Sequence, residues 1–212
     1  MENKSTIIFD GPPASGKTTL SRILAQRFHC PYMHYKALGF INIISTAILR
    51  LIRRYSITQV KPIRTKEDPV LLLEPRLLKR MRWIIFLVEL PYKMFQVMML
   101  GILSIICSYL VIDEFFTLRA ANYINVYFHG GLSKRQAELL MRIDLALLRT
   151  LAKHRGILYI YIDRPVEELK NLWHKREHDK EYSEEYLAIV RLIWKMYQAQ
   201  ISDFAQIQQI TR

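Results

Sequence analysis

The stretch Ser5-Thr6-Ile7-Ile8-Phe9-Asp10-Gly11-Pro12-Pro13-Ala14-Ser15-Gly16-Lys17-Thr18 decides how the chain is read. Its short β-branched run, closed by Gly-Pro-Pro, predicts a buried strand that ends in a loop. From Lys17 to Phe28, Leu20, Ile23, Leu24 and Phe28 recur at helical spacing, so the loop opens a helix. Gly11 to Thr18 fits the pattern G-x-x-x-x-G-K-[ST] in the context it requires, after a strand and before a helix. The residue types have a physical reason. Backbone N–H groups and a helix N-terminus attract phosphate, and glycine lets the main chain come close to it. A lysine adds a mobile cation for the β/γ oxygens, and a hydroxyl at Thr18 suits Mg²⁺. Gly11, Pro12, Pro13, Ala14, Ser15, Gly16, Lys17, Thr18 and Thr19 are therefore the candidate contacts for ATP.

The pattern continues outward from this loop. Tyr109-Leu110-Val111-Ile112-Asp113 and Ile157-Leu158-Tyr159-Ile160-Tyr161-Ile162-Asp163 each read as a buried parallel strand ending in an acid. Helices are expected over Tyr35–Arg54, Phe116–Phe128 and from Ser133, an N-cap, to His154, with Gly156 as the terminating residue. Strands alternating with helices predict an α/β fold, a P-loop three-layer domain with a parallel sheet between helices. The 212 residues suit a single domain. Its core would lie at about 1–35 and 107–212, with a helix-rich region at 36–106 and a lid at 170–182. Residues 55–69, with Pro62 and Pro69, read as an exposed connection. Because parallel sheets collect their chemistry at the carboxyl edge, Asp113 is a candidate magnesium ligand or proton acceptor, and Glu114 is a second candidate for either role. Both acids would also suit the start of the following helix.

With loop and strand acid in place, the sequence resembles the P-loop kinases of nucleotides, in particular the thymidylate kinase and deoxynucleoside kinase group. Phe9 to Thr19, Val111-Ile112-Asp113-Glu114-Phe115 with Thr117 to Tyr123, and Leu158 to Pro165 with Glu167, Glu168 and Leu169 carry the resemblance. It covers about half the chain. It implies Mg-ATP-dependent phosphoryl transfer to a nucleoside monophosphate, thymidylate first, or to a nucleoside. It also implies substrate-side roles for Asp10, Glu89 and Arg119, and lid cations at Lys170, Lys175 and Arg176, the last catalytic beside Lys17, Asp113 and Glu114. Two departures bear on the acceptor: Glu114 stands where the group has a phosphate-meeting arginine, and Asn171 stands where its lid has another. Glu89 could equally pair with Lys93 on its own helix.

Composition narrows the rest. Half of the residues are hydrophobic (51%), which excludes a disordered chain. The net charge of +12 calls for a polyanionic partner. Residues 1–106 hold 16 basic and 6 acidic side chains, and the window 50–82 alone holds 10 against 3. That window precedes Gln96 to Ile112, 17 residues without charge, expected to be a core helix running into a core strand, although their length is marginal for a membrane span. Basic residues beside an apolar segment also suit a membrane-peripheral protein on an anionic surface, with a lipid or other non-nucleotide acceptor as an alternative substrate. A plain P-loop ATPase is a further alternative. Nucleic acid is disfavoured as a partner because no recognition module accompanies the charge. The resemblance implies that the long apolar helix at 83–106 could be a homodimer face. Two cysteines, Cys30 and Cys107, fit a reducing, cytoplasmic setting.

Overall fold

A computed structural model describes residues 4–35, 37–55, 73–175 and 184–211. In chain order the elements are β1 Ser5–Asp10, α1 Lys17–Arg27, β2 Tyr32–His34, α2 Gly39–Tyr55, α3 Pro75–Ile106 and β3 Tyr109–Asp113. There follow α4 Thr117–Phe128, α5 Lys134–His154, β4 Gly156–Asp163, α6 Val166–Lys175, α7 Glu184–Ser202 and β5 Gln206–Thr211. The sheet has the order β2-β3-β1-β4-β5 and every neighbouring pair is parallel. Ile8 pairs with Ile112 on one side and with Tyr159 on the other. β1 is thus the central strand, and its carboxyl end lies between those of β3 and β4.

Helices cover both faces, as the continuous apolar strands require. On one face Leu110, Ile112, Tyr159 and Tyr161 pack with Leu148, Val190 and Trp194. On the other, Phe9, Val111, Ile160 and Ile162 meet Ala25 of α1. The Tyr161 and Trp194 rings lie parallel at 4.3 Å. A separate cluster, including Leu38, Ile41, Ile85, Phe86, Tyr123 and Leu140, joins α2 and α3 to α4 and α5. α5 starts with a complete capping box, in which Ser133 Oγ accepts from Gln136 N–H and Gln136 Oε1 accepts from Ser133 N–H.

Several expectations need correction. α1 is a helix, but it buries Lys17, Ser21 and Ala25, while Leu20, Ile23 and Phe28 are exposed. Small residues on the sheet side allow the close approach that holds the phosphate loop. α2 begins at Gly39, because Leu38 has a positive φ of 58° that interrupts a helix started at Tyr35. Gly156 is the first residue of β4, and α5 ends at an extended Arg155. The strands β2 and β5 went unpredicted. The connection at 55–69 lies almost wholly outside the described residues.

Candidate active site

The carboxyl ends of β1 and β3 bring the predicted residues together. Gly11 leaves β1 with φ +133°, and a Cβ there would sit 2.2 Å from the Ile162 carbonyl oxygen, so only glycine fits. Gly16 (φ +95°) precedes α1, and Ala14 (φ +61°) shares the left-handed region. Pro12 and Pro13 contribute no N–H. Donors for an anion therefore come from Ala14 onward and from the first turn of α1, whose N–H groups have no intrahelical partners. Lys17 is buried. Its Nζ donates to the Pro12 carbonyl at 3.2 Å and lies 3.2 Å from Glu114 Oε1. Among the described residues, the buried Ser15 hydroxyl has no hydrogen-bond partner. A glycine-walled cradle with an inward lysine and an orphan hydroxyl fits a polyphosphate.

Asp113 stands beside this loop, fully buried at the end of β3. Its Oδ2 accepts from Tyr32 OH at 3.0 Å and contacts His34 Nδ1 at 3.0 Å. Burial pushes the Asp113 carboxyl up, but the His34 hydrogen bond, the Lys17 charge and the nearby Thr18 hydroxyl outweigh this and hold it below its ordinary value. Oδ1 carries no well-formed hydrogen bond. Asp113 and Thr18 therefore suit a divalent cation bound to phosphate oxygens. Glu114, at φ +62°, adopts a strained backbone conformation, worth about 1–3 kcal/mol when a non-glycine residue holds it. The His34 ring bridges both acids, with Nε2 3.4 Å from Glu114 Oε2. Tyr32 and His34 were not anticipated, because a three-residue strand is too short to show periodicity.

The other predicted residues have different surroundings. Asp10, expected on the substrate side, turns into the protein interior. It is fully buried, and its carboxylate accepts from the N–H groups of Gly11 (2.8 Å), Phe116 (3.0 Å) and Thr117 (2.7 Å) and from Tyr159 OH. It fastens the end of β1 to the start of α4. Arg119 is also buried, with its guanidinium 3.9 Å from the centroid of the Tyr35 ring. Nη1 donates to Gln96 Oε1 (2.9 Å), Nη2 donates to Tyr123 OH (3.1 Å), and Nε lies 3.2 Å from Asp144 Oδ2. Burial works against its charge, but Asp144 and the surrounding Tyr123, Tyr35 and Glu89 more than offset this.

Glu89 does not pair with Lys93. Its Oε1 accepts from Leu38 N–H (3.1 Å) and Tyr123 OH (2.8 Å), while Lys93 Nζ meets Asp144 Oδ2 at 2.5 Å. Burial raises the Glu89 carboxyl despite these bonds. Glu89 and Lys93 of α3, Arg119 of α4 and Asp144 of α5 form a buried, charge-balanced group. Of the expected lid cations, Lys170 pairs with Glu184 of α7 at 2.5 Å, the Lys175 side chain is not described, and Arg176 lies outside the described residues. A cation that sequence reasoning passed over is Arg164, just after β4. Its Nε donates to the Ser15 carbonyl at 3.0 Å, bracing the phosphate loop from the opposite side. A cavity of about 640 Å³ lined by Ser5, Gly156, Phe204 and Gln206 lies at the amino edge of the sheet, away from this chemistry.

No family model and no curated protein sequence matches the chain. Among solved structures it is similar to deoxyadenosine kinase from M. mycoides with the products dCMP and dCDP bound, at a TM-score of 0.53 and 12% identity. That match covers 97% of this chain and 89% of the other. It is also similar to thymidylate kinase from Candida albicans (0.49, 15% identity, 99% and 84% covered). A third similar structure is shikimate kinase from Acinetobacter baumannii with shikimate (0.42, 14% identity, 99% and 84%). The parallel sheet, the strand order and the loop after β1 thus give this chain the fold of the P-loop kinases. At such identities the likeness concerns the fold alone.

Proposed function

We propose that this chain transfers the γ-phosphoryl group of ATP to a neutral hydroxyl of a small acceptor, with nucleosides the first class to test. The observation that carries the reading is the grouping of Lys17, Asp113 and Glu114 at one sheet edge, with Lys17 3.2 Å from Glu114.

The loop and Lys17 bind and orient the triphosphate, and Thr18 with Asp113 would hold Mg²⁺. The metal, when bound, neutralises phosphate charge during transfer. The acceptor oxygen attacks the γ-phosphorus, the bond to the bridging oxygen of ADP breaks, and the hydroxyl proton passes to Glu114. Glu114 is the partly accessible acid of the pair. His34 holds both carboxylates in place.

Charge favours a hydroxyl acceptor over a monophosphate. A phosphate dianion would face two carboxylates, and like charges so placed disfavour one another. The described cations nearby already have partners: Lys17 has Glu114, Lys93 and Arg119 share Asp144, Arg164 has Glu168 and the Ser15 carbonyl, and Arg22 lies over the Tyr32 ring at the surface. Nucleosides are therefore tested ahead of thymidylate. Mass-spectrometric assay of Mg-ATP with nucleosides and with their monophosphates tests the reading. The expected result is at least about tenfold faster transfer to nucleosides, a difference of ~1.4 kcal/mol in barrier. Faster transfer to monophosphates would overturn it.

A further inference from the structure

The outer face of α3 has the reverse of the polarity that a soluble surface helix shows. From Trp83 to Ile106 the only charged residues are Glu89 and Lys93, and both are 0% exposed. The exposed positions are Trp83, Ile84, Leu87, Pro91, Met94, Phe95, Met98, Ile102, Ile105 and Ile106, all apolar. Exposure reaches 66% at Trp83 and 73% at Ile105. This stripe runs about 35 Å at 1.5 Å per residue, far longer than the isolated apolar side chains that ordinary surfaces carry. Phe40 and Ile43 of the adjoining α2 are exposed as well.

We propose that this face docks on an anionic lipid bilayer, with α3 lying in the headgroup plane. Charge selects this occupant. Arg76, Lys79 and Arg80, exposed in the first turns of α3, continue the stripe at helical spacing from Trp83, Ile84 and Leu87. The window 50–82 that leads into it has a surplus of seven basic residues. Cations next to an apolar, Trp-bearing face are what an anionic interface attracts. A second copy of the chain is the poorer match. Paired parallel, the three cations face their own kind; paired antiparallel, they face Ile102, Ile105 and Ile106. Among the described residues, Glu74 is the one exposed acid beside the three cations. α3 is long and apolar enough to cross a membrane. A full span, however, would strip Ile85, Phe86, Glu89, Lys93, Gln96 and Leu100 from the protein interior where they are buried, so the helix rests on the bilayer. This docking does not depend on the identity of the phosphoryl acceptor.

Flotation of the full chain with vesicles of phosphatidylcholine, with and without roughly 30% phosphatidylserine, tests the proposal. The expected result at low salt is at least about tenfold more bound protein on the anionic vesicles, falling as salt rises toward about 1 M. A blue shift of tryptophan emission should accompany it and be lost in Trp83→Phe. The combined variant Met94→Gln, Met98→Gln, Ile105→Gln should lose binding with its thermal melt unchanged. The combined variant Arg76→Gln, Lys79→Gln, Arg80→Gln should lose the preference for anionic lipid. No flotation at low salt, or flotation that neither variant alters, overturns the proposal. A solution dimer that the Met94/Met98/Ile105 variant dissociates, without vesicle binding by the wild type, assigns the face to a second copy instead.

Discussion

The Lys17 ammonium lies 3.2 Å from the Glu114 carboxylate, joining the phosphate loop to the end of β3. Each group occupies the position where the other half of the reaction would begin. A triphosphate on the loop would draw Lys17 toward its own oxygens and leave Glu114 available to an acceptor hydroxyl. Glu114 makes its contact with Lys17 from a strained backbone position (φ +62°) just past the end of β3.

Replacing Glu114 with glutamine should lower kcat for transfer by about 10²–10⁴, the usual contribution of a general base. ATP binding should stay within severalfold of wild type, because the loop is untouched. Steady-state kinetics with a separate ATP titration checks this. An unchanged kcat would remove Glu114 from the chemistry.

Asp144 should be costly to remove. It serves both Lys93 and Arg119 in a fully buried setting, so Asp144→Ala leaves two cations with less compensation. The expected loss is about 3–5 kcal/mol in urea denaturation. A loss under about 1 kcal/mol would show that the pair relaxes into water.

Arg155 ties together the amino edge of the sheet. Its guanidinium donates to Thr6 Oγ1 and to the carbonyls of Ser5, Ser104, Cys107 and Ser108. Lysine has too few donors and no planar fork, so Arg155→Lys should destabilise by about 2–4 kcal/mol. Transfer measured well below the melting temperature should be little changed, since the phosphate loop lies at the opposite edge. Equal stability of the two proteins would contradict this.

Lys93 predicts a pH dependence. Burial pushes its ammonium down to about 8, with Asp144 opposing and Arg119 adding to the shift. Below about 8 both the folded and the unfolded chain are protonated at this site, and the cost of the buried charge is fully present. Between about 8 and the ordinary 10.5 the unfolded chain binds more protons, so stability rises with pH. Wild type should therefore gain on Lys93→Met as pH rises from about 8, by up to ~1 kcal/mol per pH unit. A difference that stays level across that range would mean that Lys93 keeps its proton.

The phosphate loop and its two flanking strands were legible because glycine, lysine and β-branched runs are each dictated by local physics. Asp113 could be placed from the rule that parallel strands deliver chemistry at their carboxyl ends. What stayed hidden depends on contacts remote in sequence. His34 meets Asp113 across 79 residues from a strand of three, and Asp144 joins Lys93 and Arg119 only once α3, α4 and α5 have packed. The inward carboxylate of Asp10 could not be told from an outward one, since a strand end permits either until α4 is placed. The burial of Ser21 and Ala25 in place of Leu20 and Ile23 reverses the usual hydrophobic rule, because the loop demands a close helix.

The most direct test of the account is phosphoryl transfer by Lys17→Ala, measured as ADP and phosphorylated nucleoside formed from Mg-ATP and compared with wild type at equal fractional folding. The expected result is a loss of at least about 10²-fold in kcat/KM, as when a positioned charge on the transferring group is removed. Transfer by Lys17→Ala at the wild-type rate would contradict it.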